Sequence, residues 1–189
     1  MALPKVVAIC GFKRSGKDTI ANYLSSHYGF VHVKIAEPLK DAVKILFNLS
    51  DDQVEGGDKE LIDSRWGVTP RQIMQFFGTE IMQYEINRLV PNMNRNFWIM
   101  SLLHKHRDSN GIVISDVRFH HEVDSIKRSF DQNAFIIKVT NNKVDTSSDQ
   151  HISENEWLQI NESVVIENNG TFEELQERVD ACMKAYKQI

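Results

Sequence analysis

Residues 11–18 read Gly-Phe-Lys-Arg-Ser-Gly-Lys-Asp and gather the groups needed to hold a polyphosphate. Gly11 and Gly16 let the backbone curl so that successive N–H groups face phosphate oxygens. A helix opening near Gly16 adds its positive dipole end, and Lys17 supplies a mobile charge for the terminal phosphates. Loops of this kind usually place Ser or Thr after the lysine as a magnesium ligand. Here that position is Asp18, followed by Thr19. A carboxylate is an adequate ligand for a hard cation, directly or through water, and Lys13, Arg14 and Lys17 offset its charge. The apolar run Val6–Cys10 before the loop and the helix-like Thr19–Leu24 after it are the flanks this chemistry requires. A chance Gly-x4-Gly-Lys in a solvated turn would have neither.

A second constellation lies at Ile114-Ser115-Asp116-Val117-Arg118. Asp116, at the end of an apolar run, can order magnesium through water. Arg118 can clamp phosphoryl oxygens in a bidentate manner. Read alone, Asp116 could equally cap the helix that starts near Phe119; the phosphate loop tips the reading toward chemistry. His120 and His121 are adjacent and so point in different directions, with no third ligand at suitable spacing, which argues against a metal site. Glu122 is expected to stabilise the helix start or a site arginine. One decoy is Asn142-Lys143-Val144-Asp145, which matches the guanine signature of GTPases. Such a switch would also show Ser or Thr after Lys17 and Asp-x-x-Gly after the third strand, where this chain has Asp18 and Asp116-Val117-Arg118-Phe119.

The elements that must position these residues alternate along the chain. Strands are expected at Lys5–Cys10, Val31–Ile35, Ile112–Ser115, Phe135–Thr140 and Val164–Ile166, all short, β-branched and largely apolar. Helices are expected at Lys17–His27, Leu39–Phe47, Pro70–Leu89, Asn96–His106, His120–Phe130 and Phe172–Tyr186. The alternation predicts an α/β fold with a parallel sheet and helices on both faces. Sites then collect at the C-terminal ends of strands. We read residues 1–189 as one domain, with a helical insertion over about 37–111 and a lid over about 141–154.

Composition bounds the function. The 189 residues carry a net charge of −4, which argues against a general nucleic-acid binder but allows a small cationic pocket. The two cysteines, Cys10 and Cys182, form neither a disulfide framework nor a zinc site and read as buried reduced thiols. No apolar run approaches the roughly 18 residues of a membrane span. The segment Met1-Ala2-Leu3-Pro4-Lys5 has no leader-like core. A reducing, cytoplasmic setting is the expectation.

Taken in order, the landmarks resemble one family. They are the loop at 11–19, Ala36-Glu37-Pro38-Leu39-Lys40-Asp41-Ala42, Arg71-Gln72-Ile73-Met74-Gln75-Phe76-Phe77-Gly78-Thr79-Glu80, Asn96-Phe97-Trp98, Ser115–Glu122, Asp149–Glu154 and Ile166–Leu175. They are similar to those of the deoxynucleoside monophosphate kinases of tailed phages and large DNA viruses, within the P-loop kinase superfamily, and they span nearly the whole chain. The resemblance implies a three-layer α/β/α fold on a five-stranded parallel sheet. It implies transfer of the γ-phosphoryl of ATP, with Mg²⁺, to a deoxynucleoside monophosphate. The product, a deoxynucleoside diphosphate, supports DNA precursor synthesis, in the host cytoplasm for a virus.

By the same resemblance, Gly11, Lys13, Ser15, Gly16, Lys17, Asp18 and Thr19 bind the donor, with Asn168 and Gly170 beside its adenine. Lys17, Arg14 and Arg118 face the transferring group, and Asp18 and Asp116 organise magnesium. Lys40 and Arg71 hold the acceptor phosphate, Gln75 reads a base edge, and Phe77 or Trp98 stacks on it. Gly78 allows close backbone approach or tight helix packing. The chain departs from many nucleotide kinases in having no arginine between Arg128 and Arg178. The lid charge must therefore come from Lys143, Arg14, Arg118 or a partner subunit, and a homodimer is left open. Animal-type phosphomevalonate kinases are similar in the loop and in Ser-Asp-x-Arg, and are the runner-up. The Arg-x-x-Met-Gln-x-x-Gly-Thr block leans toward the nucleotide kinases. A non-catalytic nucleotide-binding regulator is the remaining reading.

Overall fold

Short runs of β-branched residues leave little choice but a buried parallel sheet, because both faces of each strand are apolar. In the computed structural model, which describes residues 3–143, 156–161 and 163–186, five strands form one sheet in the order β2-β3-β1-β4-β5. They are β1 (Val6–Gly11), β2 (Val31–Val33), β3 (Ile112–Ile114), β4 (Ala134–Thr140) and β5 (Val164–Glu167). All pairings are parallel, with Val6 and Ala8 opposite Ile112 and Ile114 on one side and Ala134 and Ile136 on the other.

Alternation along the strands sends successive side chains to opposite faces. Val7, Ile9, Val113, Ile137 and Val139 join one core with Ile20 and Leu24 of α1 (Lys17–Tyr28) and Leu175, Val179 and Met183 of the C-terminal helix Phe172–Tyr186, numbered α7 below. Ala8, Ile112, Ile114 and Ile136 are buried on the other face, where α6 (His120–Phe130) packs on β1 and β4 through buried Val123 and Ile126. This is the three-layer arrangement expected. Cys10 is buried as expected, whereas Cys182, also read as buried, is half-buried.

The strand at 31–35 is shorter than expected and ends at Val33. It is an edge strand, and Val31 is 44% exposed. Only one side of such a strand needs to be apolar, which leaves room for His32 and Lys34 at alternate positions.

The chain divides into two compact units, residues up to Lys34 with those from Leu102 onward, and Ile35–Ser101. The second has a core of its own, Val43, Leu49, Val54 and Ile73, with Leu39, Phe47, Met74 and Phe77 packed against it. It contains α2 (Glu37–Phe47), the short α3 (Asp51–Val54) and α4 (Pro70–Gln75), and the start of α5 (Phe97–Lys105). Ser50 and Thr69 each open a helix with a reciprocal capping box, to Gln53 and Gln72. Buried Asp63 ties the connecting segment together by accepting from Arg65 and Gln53. The single helix expected over 70–89 is instead three pieces: α4, a π-helix Phe76–Tyr84, and a 3₁₀ turn Glu85–Arg88. Apolar spacing cannot separate a widened turn from an α-turn over so few residues. The π-turn carries Gly78, where an added Cβ would stand 2.6 Å from Leu39 Cδ2. Tight helix packing is therefore what this glycine serves.

Candidate active site

The loop between β1 and α1 is built from its own carbonyls. Lys17 Nζ donates to the carbonyl oxygens of Gly11 (2.8 Å) and Phe12 (2.6 Å), and Ser15 N–H donates to Phe12 O (3.1 Å). Gly16, at φ +107°, lies against Asn168, and an added Cβ would fall 2.3 Å from Asn168 Nδ2. That amide donates to Ser15 O at 2.8 Å. Asn168, placed by the resemblance near the donor adenine, therefore clips the loop from the end of β5. Phe12 anchors the other side, edge-on to buried Trp157 with centroids 4.7 Å apart. Lys13 and Arg14 are exposed at the tip, Arg14 in the left-handed region at φ 65°. Ser15 Oγ is buried without a hydrogen-bond partner among the described residues. An orphan hydroxyl inside a phosphate loop is a donor short of an acceptor.

Asp18 projects from the first turn of α1, followed by Thr19. Its Oδ1 accepts from Ser115 Oγ (2.7 Å) and pairs with Lys34 Nζ (3.0 Å), with His32 Nε2 at 3.7 Å. Partial burial pushes this carboxyl up. The Ser115 hydrogen bond and the Lys34 ammonium outweigh that and hold it below the ordinary carboxylate range. Asp18 Oδ2 carries no hydrogen bond or ion pair among the described residues. An ionised, 61% exposed carboxylate with one open oxygen beside a phosphate loop suits a hard divalent cation.

Asp116 and Arg118 follow β3, which lies next to β1 in the sheet. Asp116 is half-buried and Arg118 exposed. Glu122, 6% exposed, shapes this turn, because its Oε2 accepts from the backbone N–H of Arg118 (2.8 Å) and Phe119 (3.0 Å). Burial pushes the Glu122 carboxyl up to about 7, against the pull of those two N–H groups. His121 stacks on Phe119, and no group of metal-holding side chains forms there among the described residues. Gly170 precedes the Thr171–Glu174 capping box of α7, in which each residue's side chain accepts from the other's backbone N–H. The lid expected over 141–154 lies, from residue 144 on, outside the described residues.

In the second unit, the two acceptor-phosphate candidates each hold a carboxylate. Lys40 Nζ pairs with Glu55 Oε2 at 2.6 Å, and Arg71 Nε with Glu60 Oε1. Gln75 is exposed. Phe77 is half-buried, edge-on to Phe47 at 5.5 Å, on the core of the unit. Trp98 Nε1 donates to Gly78 O (2.9 Å), fixing the indole against the π-turn.

The family model described as deoxynucleotide monophosphate kinase matches residues 5–66 and 59–179. The chain belongs to this family. It is 35% identical, over 97% of its length and 98% of the relative's, to a protein of Acanthamoeba polyphaga mimivirus itself assigned as a deoxynucleotide monophosphate kinase. It is 23% identical to the deoxynucleotide monophosphate kinase of Enterobacteria phage T4, covering 95% of this chain and 99% of that one. Among solved structures, the shikimate kinase of Aquifex aeolicus superposes with a TM-score of 0.52 at 12% identity, over 97% of this chain and 98% of that one. A gluconokinase of Sinorhizobium meliloti gives 0.51 at 11%, over 98% and 94%. Those likenesses bear on the fold, which is that of the P-loop kinases.

Family membership makes this protein a kinase that transfers phosphate to deoxynucleoside monophosphates. Sequence reasoning found the loop because it is contiguous. It missed His32, Lys34 and the role of Ser115, which reach Asp18 from two other strands. The available signal was the alternation of His32 and Lys34 between Val31, Val33 and Ile35, a polar stripe in a strand that otherwise reads as buried. It also missed the pairing of Glu55 and Glu60 with Lys40 and Arg71, both glutamates lying between the expected helices Leu39–Phe47 and Pro70–Leu89. Among the described residues no helix is long and apolar enough to cross a membrane.

Proposed function

We propose that the chain transfers the γ-phosphoryl of ATP to the 5′-phosphate of a deoxynucleoside monophosphate. The observation that carries the reading is the Gly11–Lys17 loop on β1, with its orphan Ser15 hydroxyl, and Asp18 ionised beside it. These groups fit a nucleotide triphosphate and its magnesium. Asp18 and Asp116 would hold Mg²⁺, which would supply charge neutralisation to the donor phosphates.

The residues of the chain do the rest by position and charge. The acceptor oxygen is anionic at neutral pH, so no general base is required. It forms a bond to the γ-phosphorus as the bond to the β-phosphate oxygen breaks, and the electron pair leaves with ADP. Lys17 and the loop N–H groups hold the donor. Arg14 and Arg118 offset the charge of the transferring group. Lys40 and Arg71 hold the acceptor phosphate, and Gln75, Phe77 and Trp98 form its base pocket. Asn168 keeps the loop closed over the donor and Gly170 lets the backbone approach the adenine. The protein works in the cytoplasm, without nucleic acid or membrane, on small molecules.

An ADP-release assay with Mg·ATP tests this against the four common deoxynucleotides, the ribonucleotides and phosphomevalonate. Turnover on a deoxynucleotide, lost by a factor of about 10²–10³ in Lys17→Ala, is the expected result. Turnover on phosphomevalonate alone would move the substrate to the runner-up class. Silence across the panel with ATP still bound would leave a nucleotide-binding regulator.

A further inference from the structure

Asp18 sits where loops of this type carry a hydroxyl, and a carboxylate on a flexible stem needs orienting. The hydrogen bonds around it fix who donates. Ser115 is 2% exposed and has one proton, which its Oγ gives to Asp18 Oδ1 at 2.7 Å. His32 Nε2 lies 2.8 Å from the same Oγ. A serine oxygen that has given away its proton can only accept, so Nε2 must be the donor. The other ring nitrogen, Nδ1, then accepts, and it lies 2.9 Å from the side-chain amide of Asn22, one turn beyond Asp18 on α1, whose NH₂ group donates to it when the amide is turned that way. The ring is thus fixed at both nitrogens, the hydroxyl is fixed by the ring, and Asp18 Oδ1 is fixed by the hydroxyl. Lys34 holds the same Oδ1. All three contacts fall on one oxygen, which leaves Oδ2 directed elsewhere.

We propose that His32, acting through Ser115, is a positioning residue that holds Oδ1 of Asp18 so that Oδ2 is presented to magnesium. The inference rests on the reading of Asp18 as a metal contact. Partners that orient a ligand carboxylate without touching the metal commonly set its affinity by an order of magnitude or more. The relay runs between α1, β2 and β3 of the sheet unit, so it brings the edge strand into the site.

The test is Mn²⁺ binding to the protein with ADP, followed by electron paramagnetic resonance, alongside kcat and the Mn²⁺ or Mg²⁺ dependence of the rate. His32→Ala is expected to weaken Mn²⁺ binding about tenfold. Ser115→Ala, a small change at a buried position, is expected to match it, and the double variant to be no worse than either. His32→Gln, whose amide nitrogen reaches about as far as Nε2, is expected to restore most of the affinity. Thermal melts without metal check that each variant is folded, and Ser115→Ala carries the test if His32→Ala does not fold. Asp18→Asn separates the two layers of argument. If it leaves Mn²⁺ binding unchanged, the metal role of Asp18 fails and the relay with it. If Asp18→Asn loses Mn²⁺ while the His32 and Ser115 variants keep it, or if their effects add, the relay alone is overturned.

Discussion

At Gly16 the backbone leaves no room for a side chain in two independent ways. Its φ of +107° is a region that L-residues rarely adopt, and Asn168 Nδ2 occupies the place of a Cβ. Gly16→Ala is therefore expected to destabilise the fold by about 1–3 kcal/mol, read from urea unfolding. Adding Asn168→Ala should recover only the steric part, because the strained dihedral remains. Full recovery in the double variant would show that the backbone conformation contributes nothing. The loop was legible in the sequence because its glycines, lysine and aspartate are neighbours in the chain and their spacing is the chemistry. Asn168 was expected beside the donor adenine, and its hydrogen bond to Ser15 O was not foreseen, since nothing in a sequence says which loop a distant amide will clip. His32 and Ser115, 83 residues apart, were hidden for the same reason.

Helix starts carry the next level of control. Glu122 sits in the first turn of α6 and ties down the backbone of Arg118 and Phe119. Its folded pKa of about 7 exceeds the ordinary value near 4.5. A carboxyl that binds its proton more tightly when folded contributes stability fully below the unfolded value, and loses it as pH rises through the folded one. The urea midpoint of the wild type should therefore carry a downward component between about pH 4.5 and 7. Glu122→Gln, which cannot ionise, should flatten it, and parallel curves for the two proteins would refute the assignment. In the second unit, α2 and α4 present Lys40 and Arg71 already paired to Glu55 and Glu60, all four side chains partly exposed. Exposed pairs are weak, so under the proposed acceptor role an arriving phosphate dianion would displace them. Glu55→Gln and Glu60→Gln should each lower the acceptor KM about two- to fivefold with kcat little changed. A raised KM would mean that the glutamates shape the pocket instead. The helices themselves were read correctly where a first-turn carboxylate and an apolar stripe agreed, as at His120–Phe130 with Glu122, Val123 and Ile126. The π-turn at 76–84 was not, because its apolar residues satisfy an α-helical period as well.

Across the molecule, burial is divided unequally. The sheet unit packs strands and helices from residues before 35 and after 101 into one large cluster, whereas the separate cluster within Ile35–Ser101 is small, with Val43, Leu49, Val54 and Ile73 buried and Leu39, Phe47, Met74 and Phe77 packed against them. The boundary at Ser101 was not readable, since α5 runs through it without a break in composition, and the insertion was expected to continue to about residue 111. The parallel sheet itself needed no such boundary and was legible from five apolar runs alternating with helices, whereas the order β2-β3-β1-β4-β5 came from the structure. A cluster this small has little to spare. Ile73, 5% exposed, is its contribution from α4, the helix that also carries Arg71. Ile73→Ala should cost about 2–5 kcal/mol locally. Hydrogen exchange is then expected to accelerate by roughly a hundredfold among amides of 35–101, while those of β1 and β4 keep their wild-type protection. The acceptor KM should climb, with ADP affinity unchanged, because the donor loop belongs to the other unit. Equal acceleration in both regions would show that the units open as one cooperative body, and donor and acceptor binding would then fall together.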